Sequence, residues 1–332
     1  MTIRQYPFFI FVGVTLAGAV AYGAATAYPV EQSAEPVVLA APVQPALIRE
    51  LPPPEQADSQ FVTVASVDAL KDTFEAIDFR LAPVRRGHEP VPRVLLSELP
   101  GDYHTVQPVD SRKRLFFKTI LPLVLRVNEE ILAERRRLIS LISIMDAGRE
   151  LKPSDRNWLE RLADRYRTNP GEFTTLLRRV DTVSPALTIA QSVEESGWGC
   201  SRFARDGNAL FGQRVWSRGA GIVPEQRDDN EVFEVRSFGN LIDSVRSYAL
   251  NLNRHSAYSN YRVERERLRA TEIALDPYAL ADTLAGYSER REQYVETLKK
   301  ILRTNRLEQF ETARLQPVGS PTPTALGRIV QR

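Results

Sequence analysis

Two adjacent glutamates, Glu194 and Glu195, sit in the segment Leu187–Phe211 (LTIAQSVEESGWGCSRFARDGNALF), in a setting that suits acid catalysis. They fall in the last turn of a helix expected to begin at Ser184-Pro185 and to end at Gly197. The helix macrodipole disfavours negative charge there, and each carboxylate disfavours ionisation of its neighbour. An aromatic wall from Trp198 would add desolvation. A carboxyl that keeps its proton near neutral pH is what a general acid requires. At about 100° per residue, Glu195 lies nearly opposite the Ala186/Ala190/Val193 stripe and beside Gln191, a position compatible with a cleft floor. The same residues also fit two solvated glutamates near a helix end.

The elements around this pair follow from cap and periodicity signals. Ser184 is an N-cap followed by Pro at the first helical position, and Gly197 is a left-handed C-cap. Upstream, Phe116, Ile120, Val124, Val127, Ile131, Leu138 and Ile142 recur at helical spacing, with Pro122 expected to kink or divide that helix. Arg135-Arg136-Arg137 reads as a solvated face of it. Shorter helices are expected over about 153–167 and 171–180. Ile222–Gln226 and Glu231–Phe238 have strand character around an Arg227–Asn230 turn, a hairpin. Helices are expected again over 240–253, 277–285 and 289–303.

Other chemistries find little support. The 332 residues carry 44 Lys+Arg against 42 Asp+Glu, a net charge of +2, which argues against nucleic-acid binding. There is one cysteine, and the three histidines are scattered, so no internal disulfide and no recognisable zinc site is expected. Cys200 with His255 lacks any motif for a cysteine hydrolase, and His255 follows a helix end, where capping is the default. Complete nucleotide-binding and serine-hydrolase motifs are absent as well.

The chain ends read differently from its middle. Between Arg4 and Glu31 there is no charged residue, and Phe8–Val20 is almost wholly apolar. Residues 1–28 are therefore expected to be a signal peptide or a membrane anchor, placing the body in the periplasm or on the periplasmic face of the inner membrane. Eleven of the 22 prolines fall between residues 29 and 100, so 29–110 reads as a Pro-rich, mostly irregular linker with short ordered pieces. A body over 111–305 and a flexible tail over 306–332 complete the expected organisation.

The block Gln191–Gly199 (QSVEESGWG), followed by Ser201–Ala204 (SRFA) and Asn208–Gly212 (NALFG), resembles the glucosaminidase domain. In particular it is similar to the bacterial Bax-type proteins, relatives of the flagellar peptidoglycan hydrolases in glycoside hydrolase family 73. FFKTILPLVLRVNEEILAERRRL at Phe116–Leu138 and SVRSYALNLNRHSAY at Ser244–Tyr258 resemble that group's helices, as do Tyr287–Arg290 (YSER) and Tyr294-Val295. The resemblance covers about residues 112–305. It implies a mainly α, lysozyme-like helical domain with a small β-hairpin lobe, acting as an endo-β-N-acetylglucosaminidase on peptidoglycan glycan strands. Carried over by position, Glu195 is the general acid. The second carboxylate comes from the hairpin, where the pattern places Glu234, with Glu225 and Glu231 as alternatives. Tyr287 matches the tyrosine that lines the cleft near the reacting sugar. Gln191, Trp198, Asn208, Phe211 and Tyr294 are expected to bind substrate, with Trp198 and Phe211 serving either as sugar platforms or as core aromatics. No metal or organic cofactor is implied. The chain departs from the pattern at Ala209, where Asn is usual, and at Cys200, where a polar residue is usual.

Two rival readings stay in view. A lytic transglycosylase uses one glutamate at a similar helix end but leaves 1,6-anhydro ends, and its sequence typically continues differently from Asn208–Gly212. A non-catalytic peptidoglycan-binding or scaffold protein would keep the cleft without turnover. An amidase would need a metal-ligand or Cys–His set that is missing here.

Overall fold

A computed structural model describes residues 60–225, 232–271 and 274–320. The expected leader at 1–28, the prolines of residues 29–59 and the hairpin turn at Arg227–Asn230 lie outside the described residues.

Residues 60–110 are not the irregular stretch expected of a linker. Strand β1 (Gln60–Val62), helices α1 (Val67–Ala76) and α2 (Leu81–Arg85) and strand β2 (Val94–Leu96) succeed one another there. β1 and β2 pair in parallel, Phe61 opposite Leu95. Val62, Leu70, Phe74, Phe79, Leu95 and Leu99 are all buried. Each removes apolar surface from water, which offsets the entropy of ordering a proline-containing segment. Ser66 caps α1 by accepting from the Ala69 N–H.

The longest helix is α3 (Val109–Asp146), 38 residues without a break. Pro122 does not divide it. A helical proline forfeits one backbone hydrogen bond, but from Leu115 to Asn128 every residue except Lys118 and Arg126 is buried, so packing on all sides holds the segment helical. Arg135 is not part of a solvated face: its guanidinium donates to the carbonyls of Leu177 and Val180. Helices α4 (Pro153–Arg165) and α5 (Phe173–Arg179) follow, and then α6 (Pro185–Ser196).

α6 is an interior helix whose residues from Pro185 to Val193 are all buried. It packs against α3 on one side. Its caps are those expected: Ser184 Oγ accepts from the Leu187 N–H at 3.0 Å, and Gly197 is left-handed at φ +56°. Beyond it come α7 (Arg202–Gly207) and strands β3 (Arg214–Val215), β4 (Gly221–Ile222) and β5 (Glu234–Arg236). β4 and β5 pair antiparallel, Ile222 opposite Val235, and β3 adds a third strand on the other side of β5.

Helices α8 (Leu241–Arg254), α9 (Ser259–Thr271), α10 (Pro277–Asp282) and α11 (Glu292–Asn305) complete the body. α9 has no counterpart in the sequence reading, because its buried positions include Arg262 and Arg265 instead of an apolar stripe. Residues 306–316, expected as loose tail, fold back onto the body. Phe310 is buried edge-on against Phe117, with the Arg85 guanidinium 4.2 Å above its ring. Leu315 bridges to Val91, so the last described residues pair with the stretch that leads into β2. The result is a mainly helical protein with a small sheet lobe, as expected.

Candidate active site

Glu195 stands in the last turn of α6, part of its surface accessible and its carboxyl packed among tyrosines. Burial is the largest influence on that carboxyl and pushes its pKa up to about 8. A hydrogen bond from Tyr294 opposes the shift, the charge of Glu194 adds to it, and Arg290 opposes it. Gly212, left-handed at φ +56°, lies close beside the carboxyl: a Cβ built there would stand 3.8 Å from Glu195 Oε2.

Its neighbour is held differently. Arg290 donates to Glu194 Oε1 and also lies 5.7 Å from the Tyr294 ring. Adjacent carboxyls thus receive separate duties, one in an ion pair and one kept protonated by burial.

Four tyrosines from four elements gather around Glu195. Tyr287, in the turn Ala285–Tyr287, stacks on Tyr294 of α11 at 5.5 Å, and Tyr258 lies 5.7 Å from Tyr287. Tyr248 of α8 stacks on Phe211 at 4.1 Å. Each of the four is buried, and the Glu195 carboxylate acts on the hydroxyl of each. The Tyr248 hydroxyl donates to Gln191 Oε1 at 2.5 Å, and Gln191 Nε2 donates to the Tyr294 hydroxyl oxygen at 2.8 Å.

The structure therefore brings together Glu195, Gln191, Tyr287 and Tyr294 from the expected set. Phe211 is fully buried and supports Tyr248 as a core aromatic instead of offering a face to a sugar. Trp198 packs edge-on against Phe116 and Phe117 of α3, with Lys113 5.4 Å from its ring, and so fastens the turn after α6. Asn208 is a left-handed C-cap of α7 whose amide donates to the Phe238 carbonyl. Glu234, on β5, accepts from the N–H groups of Gly219 and Gly221, both at 2.9 Å, and so ties down the loop between β3 and β4. Glu225 is exposed and paired with Arg202, while Glu231 lies outside the described residues. His255 caps a turn by accepting from the Ala257 N–H, and Cys200 accepts from Arg112 at 3.2 Å. Among the described residues no group of three or more His, Cys, Asp or Glu could hold a metal ion.

Tyr248, Tyr258 and Arg290 carry no role in the sequence reading, although each lies inside a block quoted there for its resemblance. Tyr248 and Tyr258 could have been singled out only by knowing how α8 and the turn after it dock on α6.

A desolvated carboxyl that holds its proton near neutral pH inside a tyrosine cluster is chemically able to act as a general acid. Residues 172–307 match the Glucosaminidase family, described as mannosyl-glycoprotein endo-beta-N-acetylglucosaminidase. Over 189 residues the chain is 32% identical to Protein bax of Escherichia coli (strain K12). That alignment covers 55% of this chain and 66% of the relative, just short of two thirds of its length. Among solved structures, the catalytic domain of the autolysin Auto from Listeria monocytogenes superposes with a TM-score of 0.31 at 18% identity, covering 52% of this chain and 95% of that one.

Proposed function

We propose that the protein is an endo-β-N-acetylglucosaminidase that cleaves the β-1,4 bond after N-acetylglucosamine in peptidoglycan, with Glu195 as general acid. The match to the Glucosaminidase family supports a peptidoglycan hydrolase. The observation that carries the finer reading is the carboxyl of Glu195, raised to about 8 by burial while Arg290 occupies Glu194.

In this reading Glu195 gives its proton to the glycosidic oxygen as the bond to the anomeric carbon breaks. The leaving sugar departs as a neutral alcohol, and the positive charge that builds on the ring left behind is discharged when the oxygen of a water bonds to the anomeric carbon and gives its proton to a carboxylate. Tyr294 then donates to a carboxylate instead of a neutral acid, a stronger bond that favours the proton transfer. Glu234, fixed by two backbone N–H groups, is the second carboxylate proposed for the opposite side of the sugar. Tyr287 and Tyr294 border the reacting centre.

The proposal extends to the chain's organisation. Residues 1–28 act as signal peptide or anchor and residues 29–59 as spacer, delivering the body to the periplasm. No helix among the described residues is long and apolar enough to cross a membrane.

Digestion of purified peptidoglycan by the full chain, followed by mass spectrometry, tests the reading. Fragments ending in reducing N-acetylglucosamine are expected. Anhydro-muramoyl ends would assign a transglycosylase instead, and intact glycan in the presence of folded protein would leave a binding protein.

A further inference from the structure

Gln191 lies one turn before Glu195 on α6, is 0% exposed, and has both ends of its amide engaged. Its Oε1 accepts from Tyr248 on α8, and its Nε2 donates to the hydroxyl oxygen of Tyr294 on α11. A tyrosine hydroxyl has a single proton to give. The Tyr294 oxygen already accepts from Gln191, so its proton points away from the amide, and its partner is the Glu195 carboxyl. The donors therefore run in one direction, from Tyr248 through Gln191 and Tyr294 to Glu195.

We propose that Gln191 is a positioning residue, and not a sugar ligand: held by Tyr248, it turns the hydroxyl proton of Tyr294 onto one carboxyl oxygen of Glu195 and leaves the acid proton to the other. The proposal rests on the reading of Glu195 as general acid. A free carboxylic acid can carry its proton on either oxygen, and only one of them can face a fixed glycosidic oxygen. Committing one oxygen to Tyr294 removes the unproductive choice before substrate arrives, the kind of preorganisation that lowers a barrier. With no exposed surface, Gln191 has no room to touch a sugar. The other groups facing Glu195 are the Glu194–Arg290 pair and the rings of Tyr248, Tyr258 and Tyr287.

Two near-isosteric variants of the full chain test the relay. Gln191→Leu removes it. Tyr248→Phe keeps the ring that stacks on Phe211 but frees the amide to turn over and accept the Tyr294 proton. Carbon-13 NMR of labelled glutamate carboxyls, with Glu195→Gln identifying the signal, follows the titration of Glu195 without any substrate. The midpoint, expected near the value of about 8 to which burial raises this carboxyl in the parent chain, should rise in both variants, because a donor that favours the charged form is lost. On peptidoglycan, kcat is expected to fall about tenfold with KM nearly unchanged. If Gln191→Leu does not fold, Tyr248→Phe alone decides. An unchanged midpoint in the folded variants overturns the relay, whether or not the chain cleaves peptidoglycan. A raised midpoint in a chain that releases no fragments supports the relay and contradicts the glucosaminidase reading.

Discussion

Arg290 donates to Glu194 and leaves its immediate neighbour Glu195 without an ion pair. Two carboxyls side by side at a helix end would otherwise compete for one proton, since each raises the other. The guanidinium settles the competition. It neutralises Glu194, and Glu195 keeps its proton because burial, not the neighbouring charge, is the larger influence on it. Two chemically equal side chains thus end in different electrostatic settings, one ion-paired and one raised by burial.

Arg290→Met should therefore move the pH dependence of turnover. Losing the cation removes one influence that lowers Glu195, and it leaves Glu194 as an unbalanced charge that raises it. Both changes act in the same direction. The alkaline limb of kcat/KM for fragment release should shift to higher pH than in the parent chain. A limb that stays in place or moves down would mean that the pairing does not control Glu195.

Stability should fall as pH rises from 4.5 to about 8. Glu195 and Glu311 both have carboxyls raised from 4.5 to about 8, chiefly by burial. Between those values the folded chain holds protons that the unfolded chain has released, so raising pH favours unfolding. Glu311 accepts from Ser184 Oγ and from the Ala186 N–H, at the opposite end of the helix that carries Glu195. Glu311→Gln retains an oxygen for both donors and cannot ionise. Its Tm should decline less with pH than that of the parent chain, and an equally steep decline would contradict the assignment.

Arg265 should be among the most costly side chains to replace. It is 0% exposed and donates to the carbonyls of Arg178, Asp181 and Thr182 and to Asn253 Oδ1, with Asp181 beside it. Arg265→Met leaves buried acceptors and a buried carboxylate short of partners, a loss of about 3–5 kcal/mol. Arg265→Lys keeps the charge but not the planar fork, and should recover only part of that loss. Urea unfolding at constant m-value measures both.

Gly221→Ala should damage the sheet lobe while sparing the helices. A Cβ at Gly221 would stand 2.0 Å from the backbone oxygen of Val235, which no side-chain movement relieves. Strand β4 must then leave β5. Fragment release should drop by at least about tenfold, while the helical body, which holds the main core, keeps its cooperative unfolding. Full activity in this variant would show that the lobe takes no part in catalysis.

The helix that carries Glu194 and Glu195 was legible because its ends rest on local signals. Ser184-Pro185 and Gly197 mark both ends of α6 through backbone chemistry that needs no tertiary knowledge, and Glu195 takes its place from them. The rest depends on the fold. Tyr248 and Tyr258 reach Glu195 only because α8 and the turn after it dock beside α6, and Phe211 is a core aromatic only because Tyr248 covers it. α9 escaped notice because Arg262 and Arg265 are buried there through hydrogen bonds to backbone carbonyls, so no apolar stripe reveals it. Within 60–110 the pieces Phe61–Leu70 and Phe74–Leu81 were legible as short ordered stretches, but the prolines around them hid strand β2, where Leu95 is buried.

The most direct test replaces the acid alone. In Glu195→Gln the side chain keeps its shape and its acceptor for Tyr294 but has no proton to give. The rate at which the full chain releases reducing-end N-acetylglucosamine from purified peptidoglycan should fall by about 10²–10³-fold or more, with far-UV circular dichroism unchanged. Release at the parent rate by this folded variant would contradict the assignment of Glu195 as the general acid.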